Sequence, residues 1–95
     1  MASTLSARER THLKGRAHSL ECYVHVGHAG LTEAVVAEVD KALTAHELLK
    51  VRIGAGDRAA REGLIDQLCA RTNAARVQNV GRVLVLWRPR PVEET

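Results

Sequence analysis

"VHVGHAGLTEAVVAEVDKALTAHELLKVRI", residues 24–53, reads as strand, glycine turn, helix and strand in one unbroken run, and that reading decides the fold. The segment 22–26 has the β-branched and aromatic bias of a strand, with Tyr23 and His25 alternating against Cys22, Val24 and Val26. Gly27 stops it. Thr32 then stands at the N-cap position, Glu33 meets the positive end of the helix dipole, and Val36, Val39 and Leu43 hold a 3.6-residue period to about Ala45. In residues 47–53, Leu49, Val51 and Ile53 alternate with Lys50 and Arg52, the pattern of a half-buried strand with one basic face. A strand, a helix and a second strand favour a right-handed crossover that sets the two strands parallel and adjacent.

Upstream, "SARE" at 6–9 matches the capping box, in which Ser6 and Glu9 each satisfy a backbone N–H left free at a helix start. A first helix begins near Ala7. Its apolar stripe is Leu13, Ala17 and Leu20, flanked by Arg10 and Lys14 on one side and by Arg8, His12 and Arg16 on the other. Downstream, "GAG" at 54–56 breaks the strand, and Asp57 caps a third helix whose Ala60, Leu64, Leu68 and Cys69 point inward until "RTN" at 71–73. "ARVQNVG" and "RVLVLWR" read as two strands joined at Gly81, and Pro89 and Pro91 end regular structure. The order α-β-α-β-α-β-β predicts one compact α/β domain over residues 1–95, a mixed four-stranded sheet packed by helices, with residues 1–5 and 90–95 as frayed tails. Both strand–helix–strand units are expected to lay parallel strands side by side, and the final pair forms an antiparallel hairpin.

Ninety-five residues bury a modest core without metals or disulfides. With two aromatic residues, Tyr23 and Trp87, and no Phe, that core must be Leu, Val, Ile and Ala, and both aromatics are expected in core or edge packing. Cys22 and Cys69 lack the spacing of a zinc or redox motif and read as small buried hydrophobes. No apolar run reaches membrane-spanning length and the first ten residues hold no apolar signal core, so a soluble, reduced, cytoplasmic protein is expected. Lys and Arg exceed Asp and Glu by 14 to 11, a balance that suits a polyanionic partner without demanding one.

Gly27 and Gly30 pose the functional question. At ordinary glycine usage such a pair arises by chance, and a strand-to-helix turn alone would account for it. The position of the pair, directly before the Thr32 cap, adds unpaired helix N–H groups and a positive dipole end, both favourable to an anion that comes close to backbone lacking Cβ atoms. KH domains clamp nucleotides with a G-x-x-G loop, but theirs joins two helices, whereas this one joins a strand to a helix.

Taken together, "LSARERTHLKGRAHSL", the 24–53 stretch and "VQNVGRVLVLWRP" make the chain resemble the CRM domain, in particular its bacterial stand-alone, YhbY-type ribosome-associated form. "GLTEAV", "AHELLKV" and "GRVLVLWRP" carry the resemblance more specifically than the loop does. It implies a fold similar to the C-terminal domain of translation initiation factor three, with Gly27, His28, Ala29 and Gly30 on the RNA-contacting surface. It further implies RNA as partner, through precursors of the large ribosomal subunit and ribosomal particles. Family members often carry Lys or Arg between the glycines, and here His28 and Ala29 occupy those places. Affinity must then come from loop N–H groups and surrounding cations: Arg10, Lys14, Lys50 and Arg52, with Arg82 and Arg88. His28 can serve as a neutral hydrogen-bond donor or carry a proton beside a phosphate.

Five histidines raise the question of metal or catalysis, but no Cys, Asp or Glu completes a ligand set around His25 and His28, and no serine sits in a nucleophile-elbow context. No enzyme, metal, cofactor or small-molecule substrate is expected. The rival to RNA binding is an adaptor whose basic surface docks on an acidic ribosomal protein or assembly factor, the glycines serving only as a turn. With so few aromatics, RNA recognition is expected to read shape and backbone rather than bases.

Overall fold

The computed structural model describes residues 5–89. Three helices and four strands follow in the expected order: α1 (Ala7–Ala17), β1 (Val24–Val26), α2 (Glu33–His46), β2 (Leu48–Ile53), α3 (Arg58–Thr72), β3 (Ala75–Val80) and β4 (Val83–Trp87). The helix starts are set by local chemistry. Ser6 Oγ accepts from the Glu9 N–H while Glu9 Oε1 accepts from the Ser6 N–H, Thr32 Oγ1 accepts from the Val35 N–H, and Asp57 Oδ1 accepts from the Ala60 N–H. Asn73 ends α3 in the left-handed region at φ 58°, a conformation Asn tolerates. At the β3–β4 turn, Gly81 has φ +59° and Arg82 does not share the positive φ, the pattern of a two-residue II′ hairpin.

The sheet order is β1-β2-β4-β3. β1 and β2 are parallel neighbours, as the crossover through α2 predicts. The second crossover departs from expectation: β4 inserts antiparallel between β2 and β3, so those two strands are not adjacent. The strongly apolar β4, with Leu84, Val85 and Leu86 all buried, takes the central place where both its faces are covered.

α2 and α3 cover one face, where Val39, Leu43, Ile65 and Leu68 meet Val24, Val26, Val51, Ile53, Leu84 and Leu86. On the other face Leu5, Leu13 and Ala17 meet Leu48, Ala75, Val77 and Val85, with Trp87 half-buried beside them. α1 packs chiefly on β2, β4 and β3, and the α1-side face of β1 is open, with Tyr23 and His25 exposed.

Several expectations are corrected. Leu5 is buried rather than frayed; residues 1–4 and 90–95 lie outside the described part of the chain. Leu20 follows the end of α1 and is exposed, because the helix stops at Ala17. In α3 the buried seam is Ile65, Leu68 and Thr72, with Leu64 and Cys69 half-buried and Ala60 exposed; the i, i+4 reading was rotated away from the true seam. Cys22 and Cys69 are half-buried free thiols, and burial pushes the Cys69 thiol up from its ordinary value. Tyr23 is 59% exposed and lies outside the core, with only an edge contact to His46.

Candidate nucleic-acid interface

The loop 27–30 leaves the end of β1 as a tight turn in which the Gly30 N–H donates to the Gly27 carbonyl at 3.0 Å. Its two glycines have different reasons. Gly30 holds φ +72°, which any L side chain would find strained. Gly27 has no positive φ, and a Cβ built on it would meet nothing within 4 Å. The fold therefore explains Gly30 and leaves Gly27 free to admit a close approach from outside. His28 and Ala29, between them, are exposed.

The loop shares one end of the sheet with the β2–α3 and β3–β4 connections. The Gly54 N–H donates to the Val26 carbonyl at 2.7 Å, the Ile53 N–H donates to the Arg82 carbonyl at 2.8 Å, and the Arg82 guanidinium returns a bond to the Ile53 carbonyl at 3.3 Å. The N-termini of α2 and α3 open at this same end, so positive dipole ends and glycine-rich backbone gather there. Arg52 pairs across the parallel ladder with His25, and both side chains project from the α1-side face next to the loop.

Some arginines are neutralised by carboxylates and others are not. On the α2/α3 side Arg71 pairs with Glu33, Arg76 with Glu62 and Asp66, and Arg88 with Asp40. On the α1 side Arg8, Arg10, Lys14, Arg16 and Arg52 have no ion-pair or hydrogen-bond partner among the described side chains, and Lys50 Nζ donates only to the Leu20 carbonyl. The single carboxylate on α1, Glu9, is held in the capping box, whose hydrogen bonds from Ser6 lower its pKa from the usual carboxylate value. A face of unneutralised cations around exposed backbone attracts polyanions, and the charges need no desolvation to do so.

Of the residues singled out from sequence, the structure brings Gly27, His28, Ala29, Gly30, Arg52 and Arg82 to one end of the sheet, with Lys14 and Lys50 lining one shallow depression on the α1-side face. Arg10 lies at the opposite edge, in a depression of about 650 Å³ that it shares with Arg58, Arg61 and Arg76 beside the β3–β4 turn. Arg88 is elsewhere. It follows the far end of β4 and is consumed by hydrogen bonds to Asp40, Thr72 and Thr44, so it is a clamp between layers and not part of this surface. Sequence reasoning missed Arg58 and Arg61, which stand in the first turn of α3 directly after the Asp57 cap; that cap was legible and could have pointed to them. Among the described residues no group of His, Cys, Asp or Glu is arranged to hold a metal ion.

Comparison with known proteins places the chain in a family. The chain is 45% identical over 87 residues to a Haemophilus influenzae protein named "RNA-binding protein", covering 92% of this chain and 88% of that one. It is 36% identical over 87 residues to a Pseudomonas aeruginosa protein also named for RNA binding, covering 92% and 84%. In fold it is similar to the solution structure of a hypothetical protein from Staphylococcus aureus, with a TM-score of 0.79 and 24% identity over 96% of this chain and 93% of that one. The model of the CRS1 / YhbY (CRM) domain matches residues 5–88, nearly the whole described domain, and the chain belongs to that family.

Proposed function

We propose that this protein binds RNA through the Gly27–Gly30 loop and the cations of the α1-side face, and that its target is ribosomal RNA in precursors of the large subunit, where it assists assembly. The observation that carries the reading is which cations are spent: Arg71, Arg76 and Arg88 are paired with carboxylates, while Arg52 and Lys14, and Arg58 and Arg61 at the start of α3, are not. Arg10, Arg58 and Arg61 extend the basic rim from the loop across to the β3 edge, three strand spacings or about 14 Å away. That breadth suits a folded RNA whose phosphates are presented on more than one strand. The role is binding, with phosphate contacts supplying affinity, and a cytoplasmic location follows from the ribosomal target.

Crosslinking in cells, followed by sequencing of the attached RNA, tests the proposal. Recovery of large-subunit precursor RNA is the expected outcome. Recovery of messenger or transfer RNA would redirect it, and recovery of protein partners alone would favour an adaptor.

A further inference from the structure

The loop is one end of a longer feature. Tyr23 just before β1, His25 within it and Gly27 just after it follow one another at two-residue steps, about 6.6 Å apart where the chain is extended. β2 supplies cations near the first two: Tyr23 and Lys50 line one slot, their backbones joined by the Tyr23 N–H donating to the Lys50 carbonyl at 2.9 Å, and His25 pairs with Arg52. Two rings thus stand near positive charges, and the row runs from the glycine loop to a slot of about 430 Å³ just before β1.

The slot has the composition of a site for a flat, partly apolar group. Leu20, Tyr23, His46 and Leu48 line it, together with the cations Arg16 and Lys50. The Tyr23 ring meets His46 edge-on, at 5.9 Å between centroids and 61° between planes, and no other ring stacks on it among the described residues. An aromatic ring 59% exposed in a soluble domain, beside two cations, is a stacking platform without an internal partner. Glu21 also lines this slot, and its carboxylate opposes an anion bound beside it, so a neutral ring is the better occupant, with its phosphate on the cations.

We propose that the slot receives one unpaired nucleobase of the bound RNA, stacked on Tyr23, with the adjoining phosphate held by Arg16 and Lys50 and the strand continuing over His25 and Arg52 to the glycine loop. The inference rests on the RNA-binding reading and changes its expected character, adding a single-stranded contact to recognition of backbone and shape.

The test uses the whole chain and two RNA hairpins of one stem, one blunt and one with a short unpaired flank carrying 2-aminopurine. The flanked hairpin should bind about tenfold more tightly, as the loss of one base stack predicts in reverse, and its fluorescence should be quenched on binding. Tyr23→Ala should abolish both the advantage and the quenching while leaving affinity for the blunt hairpin and the circular dichroism spectrum unchanged; Tyr23→Phe should retain them. A flank that adds no affinity, or quenching that survives Tyr23→Ala, overturns the slot and leaves the RNA reading standing. Failure of the unaltered protein to bind either hairpin overturns both.

Discussion

Arg88 Nη1 lies 2.6 Å from Asp40 Oδ1 and 2.7 Å from the Thr72 carbonyl oxygen, so one guanidinium ties the end of β4 to both α2 and α3. Its second nitrogen reaches the Asp40 carbonyl and Thr44 Oγ1, and the side chain is only 16% exposed. Arg88→Leu should therefore destabilise the domain by about 2 kcal/mol, the scale for hydrogen bonds to a charged group, and leave RNA affinity unchanged. Urea unfolding alongside an RNA titration checks both halves; a large affinity loss in a stable variant would return Arg88 to the interface.

Gly27 is the cleaner probe of the loop. Because its backbone is ordinary and open space surrounds it, Gly27→Val should fold with near-native stability, yet lower RNA affinity about tenfold for each phosphate contact of about 1.5 kcal/mol that it blocks. Gly30→Val mixes two effects, since its positive φ adds about 1–2 kcal/mol of strain. Native RNA binding by Gly27→Val would remove the loop from the site.

Salt dependence separates free from spent cations. Arg52→Ala should weaken RNA binding with little sequence preference and shallow the log–log salt slope by about 0.7 to 0.9. Arg71→Ala, whose guanidinium is paired with Glu33, should leave the slope unchanged. Equal slopes in the two variants would contradict the division between free and paired cations.

The α1 cap should show in acid. Hydrogen bonds from Ser6 favour the ionised Glu9 in the folded protein, so its folded pKa lies below the ordinary glutamate value. The resulting stabilisation is fully present above that value and is lost as pH falls through the lowered folded pKa. Glu9→Ala should lower the Tm at pH 7 and differ less from the parent protein at pH 3. A constant difference across that range would show that the carboxylate's charge plays no part in the cap.

The order of elements was legible in the sequence because each start signal acts within four residues: Ser6 with Glu9, Thr32 with Val35 and Asp57 with Ala60. The alternation of Val24 and Val26 with His25, and of Val51 and Ile53 with Arg52, likewise assigned faces before any contact was known, since neighbouring side chains on a strand point oppositely. Position of the glycine loop ahead of α2 followed from the same local signals. Three matters were decided only by tertiary structure. Insertion of β4 between β2 and β3 depends on which strand can be covered on both faces, a competition among segments distant in the chain. The fate of each arginine depends on partners far away in sequence, 48 residues for Arg88 and Asp40 and 38 for Arg71 and Glu33, so local patterning could not tell a clamp from a free cation. Exposure of Tyr23 follows from α1 packing chiefly on β2, β3 and β4, leaving β1 open, a consequence of where a helix lies across a sheet and of nothing in the residues beside Tyr23.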